Sequence, residues 1–160
     1  MKIQDQLRAC HTLRWSIVNT SRRQTVAEHS WAVAVMAAEY CKRCGDSPDI
    51  VAECIKYAVY HDVAEAVIGD IPTPTKQRMK GTISELENEI FPYGPVSAHA
   101  EYVVKLADRI DALWFAWDNG QGRHAKKIYT NLIHEFMGKY KDNPDAMRLM
   151  NDVLHGDVML

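Results

Sequence analysis

The sequence predicts an all-α protein, built as a single compact helical bundle over residues 1–160. Apolar residues recur at helical spacing through most of the chain, and the alternating pattern typical of β-strands is almost absent. No repeat, low-complexity tract or linker divides the chain, and its 160 residues match the usual size of one domain. These three observations together indicate one helical domain.

Each expected helix is delimited by residues that start or stop helices. Gly45 ends the first, the Ser47–Pro48 pair opens the second as N-cap and first helical residue, and Asn119–Gly120 ends the fourth. Prolines exclude a regular helix over 70–75, and a second break is expected over 91–95. The predicted helices are 26–44, 48–69, 83–90, 96–117, 123–139 and 144–154.

Composition excludes several classes of protein. The formal net charge is −2, whereas nucleic-acid-binding proteins usually carry an excess of basic residues, so we expect no nucleic-acid partner. No apolar run reaches the roughly 18 residues that a membrane-spanning helix needs. The first residues also lack the apolar core of a secretory signal. We therefore expect a cytoplasmic protein with no membrane partner.

The four cysteines are Cys10, Cys41, Cys44 and Cys54. Cys41 and Cys44 form a Cys-x-x-Cys motif, which occurs in zinc and redox sites. A cysteine-rich zinc site needs a second pair at similar spacing, and Cys10 and Cys54 stand alone. A spacing of three is also ordinary on a helix. The sequence therefore favours reduced thiols in a cytosolic protein.

The strongest chemical signal is the dipeptide His61–Asp62, which accompanies His29 on the preceding helix and Asp108 on a later one. Two imidazoles and two carboxylates suit zinc, iron, cobalt or manganese better than calcium. Ligands from three helices also suit the core of a bundle. The alternative is that both histidines are ordinary hydrogen-bonded residues and that Asp108 pairs with a basic neighbour on its own helix.

The set His29, His61, Asp62 and Asp108, in this order on helices, resembles the HD-domain metal-dependent phosphohydrolases. Longer strings are similar to YfbR-like 5′-deoxynucleotidases and to phage dATP triphosphohydrolases of the same fold. These strings are RWSIVNT at 14–20, AEHSW at 27–31, HDVAEAVIGDIPTPTK at 61–76 and KLADRID at 105–111. They cover most of the first half of the chain and the start of the long fourth helix, and we recognise nothing beyond Ala116.

The resemblance implies a role for each matching residue. The implied ligands of one divalent metal ion (zinc, cobalt, manganese or magnesium) are His29, His61, Asp62 and Asp108. The implied catalytic residues are Glu65, which orients or deprotonates the attacking water, and Asp70, which positions that water or the leaving group. The implied substrate-binding residues are Arg14 and Lys76, toward phosphate, and Trp15 and Ile17, toward the sugar and base.

Each of these roles has an ordinary structural alternative. Glu65 alone would be a solvated helix residue, and Asp70 would belong to a turn. Lys76 would be an exposed lysine, Arg14 the partner of a nearby carboxylate, and Trp15 a core residue, because isolated aromatic residues usually pack. Only their joint occurrence at the spacing of the family favours the functional roles.

Three functions remain open. The first is a dATP triphosphohydrolase that releases deoxyadenosine and triphosphate, the second a 5′-deoxynucleotidase that releases phosphate from deoxynucleoside monophosphates, and the third a non-catalytic nucleotide-binding scaffold. The interval between Asp62 and Asp108 is short for the bacterial deoxynucleotidases and closer to the compact phage enzymes. Basic residues able to hold additional phosphates are present at Arg22, Arg23, Lys76, Arg78 and Lys80.

We therefore expect a dATP triphosphohydrolase that takes part in control of the nucleotide pool, in the cytoplasm of the host cell if a phage encodes it. Its expected partner is a small deoxynucleotide substrate. Members of the resembled family commonly form homo-oligomers, so we also expect a dimer or a hexamer. The aromatic residues Trp114, Phe115 and Trp117 would serve the core or such an interface.

Overall fold

A computed structural model of the chain describes residues 1–156, and α-helices make up most of them. The elements are α1 (Ile3–Gln6), a 3-10 turn (Leu7–Cys10), α2 (Val26–Cys44), α3 (Pro48–Tyr60), α4 (Glu65–Ile68), α5 (Thr73–Arg78), α6 (Lys80–Ile90), α7 (Ala98–Asn119), α8 (Gly122–Tyr140) and α9 (Pro144–His155). Strand pairing among residues 1–156 is limited to two isolated bridges, Leu13 with Thr25 and Thr20 with Gly120. The predicted all-α class is confirmed.

The core of the bundle forms where α2 packs against α3 and α7, while α8 packs against α7, and α9 packs against both α2 and α7. Its fully buried central residues are Val33, Ala37 and Cys41 of α2 and Leu106, Ile110 and Leu113 of α7. Removing each large aliphatic side chain from water stabilises the fold by about 1.5–3 kcal/mol. The residues that carry chemistry are therefore held on helices whose other faces are buried.

Local capping interactions set the ends of α2 and the start of α3. The Thr25 hydroxyl accepts a hydrogen bond from the Glu28 amide at 3.1 Å, and the Glu28 carboxylate accepts one from the Thr25 amide at 2.6 Å. Gly45 ends α2 with a φ of 72°, a conformation that costs glycine little. Ser47 caps α3, and Pro48 is its first residue. The boundaries predicted at these positions are confirmed.

The prediction of one helix over 48–69 is wrong. Helix α3 ends at Tyr60, a turn occupies 61–64, and α4 follows. The amides of Val63 and Glu65 bond to the carbonyls three residues earlier, Tyr60 and Asp62, so the chain winds more tightly than an α-helix. The break falls within the His–Asp motif.

The prediction that 70–75 lacks helix is wrong from Thr73 onward. Pro72 occupies the N-cap position of α5, and Pro74 lies within its first turn. An amide in the first turn of a helix has no partner inside the helix, so proline is tolerated there and marks a start. Helix α6 also begins at Lys80, three residues before the predicted start. The break predicted over 91–95 is confirmed.

The remaining predicted helices agree with α7, α8 and α9 to within two residues at each end. Two short elements near the N-terminus, α1 and the 3-10 turn, were not predicted. Across residues 1–156, none of the helices combines the length and the apolar character that crossing a bilayer requires.

Candidate active site

His29 lies in the first turns of α2 and is fully buried. Its Nδ1 lies 2.6 Å from Oδ2 of Asp111 on α7, and a carboxylate at this distance favours a proton on that nitrogen. Its Nε2 has no hydrogen-bond partner among the described residues. This nitrogen lies 3.4 Å from Oδ2 of Asp62 and 3.4 Å from Oδ1 of Asp108. The imidazole is therefore oriented by one carboxylate while its free nitrogen faces two others.

His61 is oriented in the same way from the end of α3. Its Nδ1 lies 2.7 Å from the Ala58 carbonyl oxygen, which can only accept a hydrogen bond, so Nδ1 carries the proton. Its Nε2 lies 3.4 Å from Oδ2 of Asp62 and, in the part of the chain that the structure describes, is buried without a hydrogen-bond partner. The two imidazole rings are 5.2 Å apart, and both direct Nε2 toward the same carboxylates.

These side chains fit a divalent cation. The ligand atoms of His29, His61 and Asp108 all lie within 4.8 Å of one another, and Oδ2 of Asp62 is 3.4 Å from both ring nitrogens. Buried polar atoms almost always have a partner, and two imidazole nitrogens left free beside two carboxylates form a donor set suited to zinc or a similar ion. Histidine metal ligands also commonly bind through one nitrogen while the other donates to a carboxylate or carbonyl.

The ordinary alternative for Asp108, an ion pair with a basic neighbour on α7, is not what the structure shows. Lys105 pairs with Glu101 one turn earlier, and Arg109 pairs with Glu135 of α8 at 3.3 Å. The Asp108 carboxylate faces His29 instead.

The charge around these imidazoles is negative. Burial and the nearby Arg14 lower the pKa of His29, but Asp111 and Asp62 raise it to about 9. Burial by itself raises the pKa of Asp62, yet His61, His29 and Arg14 hold it well below its usual value. The negative field that favours a proton on His29 equally favours a metal cation.

Glu65 is a buried carboxyl at the start of α4. Its Oε1 accepts a hydrogen bond from Nζ of Lys76 at 3.2 Å, and its Oε2 lies 3.8 Å from Nη1 of Arg14. Burial, and then the Asp62 carboxylate, raise the pKa of Glu65 to about 8, against the lowering effect of Arg14 and Lys76. A carboxyl whose pKa lies near neutral pH is suited to take up and return a proton.

Two cations lie on either side of Glu65. Arg14 extends from the segment before α2 and donates from Nη1 to Oδ2 of Asp62 at 2.8 Å. Lys76 of α5 pairs with Glu65 and, at 2.9 Å, with Glu87 of α6. The structure therefore brings Arg14 and Lys76 to the carboxylates of the site. Glu87 had not been predicted as a partner of Lys76.

Trp15 has a strained backbone and a fixed ring. Its φ is 64°, a value that residues other than glycine rarely adopt, and its carbonyl accepts a hydrogen bond from Arg23. Its ring stacks on Phe115 at 5.3 Å, and its Nε1 donates to Oε1 of Gln24 at 3.1 Å. Persistent strain of this kind clusters at ligand sites. The packing contact expected of an ordinary core tryptophan is present as well.

Gln24 and Asp111 belong to the site and were not predicted. Both are buried, and Nε2 of Gln24 donates to the Asp111 carboxylate at 2.9 and 3.2 Å. A continuous chain of hydrogen bonds thus runs from Trp15 through Gln24 and Asp111 to His29. One signal was available, because Asp111 follows Asp108 by three residues on the same helix face.

Other predicted residues lie at the edge of this group. Asp70 is half-buried after Gly69, and its charge acts on the pKa values of Arg14 and Glu65. Ile17 is 55% exposed in the turn that follows Trp15. The structure does not place Ile17 against the predicted metal ligands.

The additional basic residues proposed for further phosphates divide into two groups. Arg22 pairs with Glu28 at 3.1 Å, and Arg23 donates to backbone carbonyls of the turn that contains Trp15. Arg78 and Lys80 are exposed. Arg23 therefore holds the backbone of the predicted substrate-binding segment, a function that its position in the sequence did not indicate.

An aromatic cavity of about 390 Å³ adjoins the site beside His61. Its lining includes Glu87, the partner of Lys76, and the aromatic residues Tyr57, Tyr60, Phe91 and Tyr93. The ring of Tyr60 stacks on that of Phe91 at 5.5 Å. The sequence indicated a break in the helices at 91–95 but did not show that this break folds back against α3.

The chain matches a known protein family over most of its length. A model of the HD domain family matches residues 5–150, and the chain belongs to that family. The match reaches into α9 and so extends well past Ala116, where the resemblance seen in the sequence ended. The expected family and the expected hydrolase class are confirmed.

Three similar proteins show how far the likeness extends within the family. The chain is 33% identical to the dATP triphosphohydrolase of Salmonella phage PMBT28 in an alignment of 159 positions, gaps included, that covers 88% of this chain and 80% of that protein. It is 29% identical to the 5′-deoxynucleotidase YfbR of Photorhabdus temperata, over 62% of each chain. The HD phosphohydrolase DatZ of Cyanophage S-2L, solved with dA and one catalytic Zn²⁺, superposes with a TM-score of 0.80 at 26% identity, over 96% of this chain and 92% of that one.

Proposed function

We propose that this protein hydrolyses dATP to deoxyadenosine and triphosphate with the help of one divalent metal ion. The observation that carries the proposal is the convergence on Asp62 and Asp108 of two buried imidazole nitrogens that lack a hydrogen-bond partner among residues 1–156, with Glu65 between Arg14 and Lys76 beside them. Such a site combines ligands for a cation, a titratable carboxyl and cations for phosphate. These are the parts that a phosphohydrolase needs.

The side chains proposed to hold the ion are His29, His61, Asp62 and Asp108. When bound, the cation acts as a Lewis acid that acidifies a water molecule and withdraws charge from phosphoryl oxygens. The Asp111 carboxylate and the Ala58 carbonyl fix the two imidazoles with Nε2 toward the Asp62 carboxylate, where they would hold the ion. The fixed orientation reduces the entropy lost on binding.

Glu65 is the proposed acid–base residue. It takes the proton of the water that attacks the α-phosphorus, and the bond from that phosphorus to the 5′ oxygen of the deoxyribose breaks. The proton held by Glu65 is then available to the departing 5′ oxygen. The hydrogen bond from Lys76 fixes the Glu65 carboxyl, which is otherwise buried. Such proton transfer contributes about 10²–10⁴-fold to a rate.

The remaining predicted residues are proposed to bind substrate. Arg14 and Lys76 already lie among carboxylates and would contact the phosphates, where positive charge balances the negative charge of the transition state. Trp15, fixed by Phe115 and Gln24, would form a rigid wall against the sugar and base, with the exposed Ile17 nearby in sequence. Asp70 would position the water or the leaving group.

The choice of dATP rests on similarity. The phage relative that covers 88% of this chain is named for dATP, and the solved relative with a TM-score of 0.80 holds dA. The 5′-deoxynucleotidase relative matches only 62% of the chain, so a monophosphate substrate is the second candidate.

Product analysis tests this choice directly. The full chain is loaded with Zn²⁺, Co²⁺, Mn²⁺ or Mg²⁺ in turn and incubated with dATP or with dAMP, and the products are separated by ion-exchange chromatography. Triphosphate and deoxyadenosine from dATP are the expected products. The Glu65→Gln variant, assayed beside it, identifies any contaminating phosphatase. Orthophosphate from dAMP, with no triphosphate from dATP, would overturn the proposal in favour of the second candidate.

We further propose a homo-oligomer, a dimer or a hexamer, in the cytoplasm of the cell in which the protein is made. The exposed large apolar side chains of the long helices include Trp31, which is 69% exposed, Val35 one turn later on α2, which is 49% exposed, and Trp117 of α7, which is 55% exposed. Exposed apolar groups of this kind are typical of protein–protein contacts. Sedimentation velocity of the full chain gives the oligomeric state.

A further inference from the structure

A second group of potential metal ligands lies at the opposite end of α2 from His29. The ligand atoms of Cys41, Asp46 and His99 all lie within 4.8 Å of one another. Cys41 follows His29 by twelve positions of α2, which corresponds to about 18 Å at the 1.5 Å rise per residue of an α-helix. This second group therefore cannot share an ion with the candidate active site.

Cys41 and Asp46 are brought together by the way α2 ends. Gly45 adopts a left-handed conformation, and the Asp46 amide then donates to the Cys41 carbonyl at 3.0 Å. This is the Schellman arrangement of a helix C-terminus, and it turns the chain back over the last turn of the helix. The Cys41 thiol is fully buried and faces the Asp46 carboxylate. The backbone thus fixes two of the three ligand residues relative to each other.

His99 approaches from the first turn of α7. Its Nε2 lies 2.8 Å from Oδ2 of Asp46. The start of α7 is held against α3, because both the amide and the hydroxyl of Ser97 donate to the Glu53 carboxylate, at 2.8 and 2.7 Å. Three separate elements, the end of α2, the turn after it and the start of α7, therefore contribute one ligand atom each to a fixed position.

We propose that Cys41, Asp46 and His99 form an accessory site for zinc or a similar divalent ion. A thiolate, an imidazole and a carboxylate are the three side-chain ligands that zinc takes in proteins. At zinc–ligand bond lengths of 2.0–2.3 Å, ligand atoms of a tetrahedral ion lie about 3.5 Å apart, a separation that modest side-chain rotation reaches from the present one. Zinc here would join the ends of α2 and α7.

The Cys-x-x-Cys motif is not the source of this site. Cys44, the other member of the motif, is exposed whereas Cys41 is buried, and it is not one of the three grouped ligand residues. The buried neighbour of Cys41 is instead Cys54 of α3, whose thiol contacts it. Burial, with Cys54 and Asp46, raises the pKa of the Cys41 thiol, so a metal ion that binds there must displace the thiol proton, and binding should strengthen as pH rises.

Metal content is the first test. The full chain is saturated with zinc, dialysed against a weak chelator and analysed by mass spectrometry for zinc per chain. We expect two zinc ions in the wild type, one in His99→Ala and one in Asp62→Ala, which affects only the candidate active site. His124→Ala is the matched control, because His124 is likewise exposed in the first turn of a helix, α8. It should keep both ions.

Cobalt identifies the sulfur ligand. A thiolate bound to Co²⁺ gives an intense charge-transfer band in the near ultraviolet, and the four residues of the candidate active site include no sulfur. We expect this band in the wild type and in the Cys10→Ser, Cys44→Ser double variant, and its loss in His99→Ala and in Cys41→Ser. Circular dichroism confirms that each variant is folded.

Two results would overturn the proposal. The first is a single zinc ion per wild-type chain without a thiolate band, which would leave the group as an ordinary histidine–aspartate pair above a core cysteine. The second is a further zinc ion that persists in His99→Ala. Neither result depends on turnover, so each leaves the proposed hydrolysis of dATP to be judged by product analysis alone.

Discussion

Two groups of potential metal ligands, one near each end of α2, differ in one respect. At the N-terminal end, the buried Nε2 atoms of His29 and His61 have no hydrogen-bond partner among the described residues. At the C-terminal end, Nε2 of His99 is paired with Asp46 at 2.8 Å. The first group is thus incomplete without a ligand, whereas the second is stable by itself.

This difference separates a site that needs a ligand for function from an accessory site that does not. A buried polar atom without a partner costs roughly 1–3 kcal/mol, so an arrangement that keeps two such atoms together needs compensation from a bound group. The partially exposed pair of His99 and Asp46 carries no such penalty. Changes at the first end should therefore abolish function, and changes at the second should alter metal content and stability only slightly.

The largest effect is expected from Asp62→Ala. This change removes the carboxylate that lies 3.4 Å from Nε2 of both His29 and His61, and it leaves Arg14 without its closest partner. We expect hydrolysis to fall by at least about 10³-fold, since a metal ion contributes several kcal/mol to such a reaction. Asp49→Ala, an exposed change in the first turn of α3, is the control. If Asp62→Ala still hydrolysed dATP at a similar rate, the metal ligands would have been wrongly assigned.

The next effect is expected from Glu65→Gln. The amide keeps the size of the side chain but cannot take a proton from water, so kcat should fall about 10²–10⁴-fold. Zinc content should stay at the wild-type value, which distinguishes this variant from Asp62→Ala. Glu85→Gln, on the exposed face of α6, provides a control with the same chemistry. Normal turnover by Glu65→Gln would mean that another group accepts the proton.

A smaller effect is expected from Asp111→Asn. Asp111 acts through His29 and is a positioning residue, and removing such partners of metal ligands costs about 10–100-fold in metal affinity or activity. Zinc affinity of the candidate active site, measured by competition with a chelator, should weaken by that amount. Asp118→Asn makes the same change at an exposed position of α7. Equal zinc affinity in both variants would show that Asp111 has only a structural role.

The smallest effect is expected at the other end of α2, from Glu53→Gln. Hydrogen bonds from the backbone amide and hydroxyl of Ser97 lower the pKa of Glu53, so its contribution to stability is present above the unfolded-state pKa and is lost as pH falls through the lower folded-state value. The variant should therefore melt slightly below the wild type at neutral pH, and the difference should vanish in acid. Thermal melts of metal-free protein at several pH values measure it. A difference independent of pH would contradict the hydrogen bonds described for Ser97.

The local features of the fold could be predicted from the sequence. Helix α2 matches its predicted range, and Gly45, Ser47 and Pro48 act as expected, because caps and apolar spacing depend on neighbours within a few residues. The break after Tyr60 could not be predicted. It arises from three-residue hydrogen bonds around the His–Asp motif, which the apolar pattern does not report.

The residues of the candidate site were likewise predicted only in part. The residue types and order of His29, His61, Asp62, Asp108, Glu65 and Lys76 were evident in the sequence, and their grouping required the packing of α2, α3 and α7. Gln24 was missed because its only signals are burial and hydrogen bonds to a residue 87 positions away, and the spacing of Asp111 from Asp108 was the one local signal for the pair.

From the amino-acid sequence alone one can predict that the chain is helical, where the long helices α2, α7, α8 and α9 begin and end, and which residue types are available for a metal and for phosphate. The packing of the helices determines which nitrogen of each imidazole lacks a hydrogen-bond partner among the described residues. It also places Arg14 and Lys76 on either side of Glu65, and it brings Cys41 to Asp46 and His99 rather than to Cys44. The two kinds of feature differ because helix propensities and caps depend on residues within a turn or two along the chain. Contacts between helices depend instead on how the buried faces of distant segments pack.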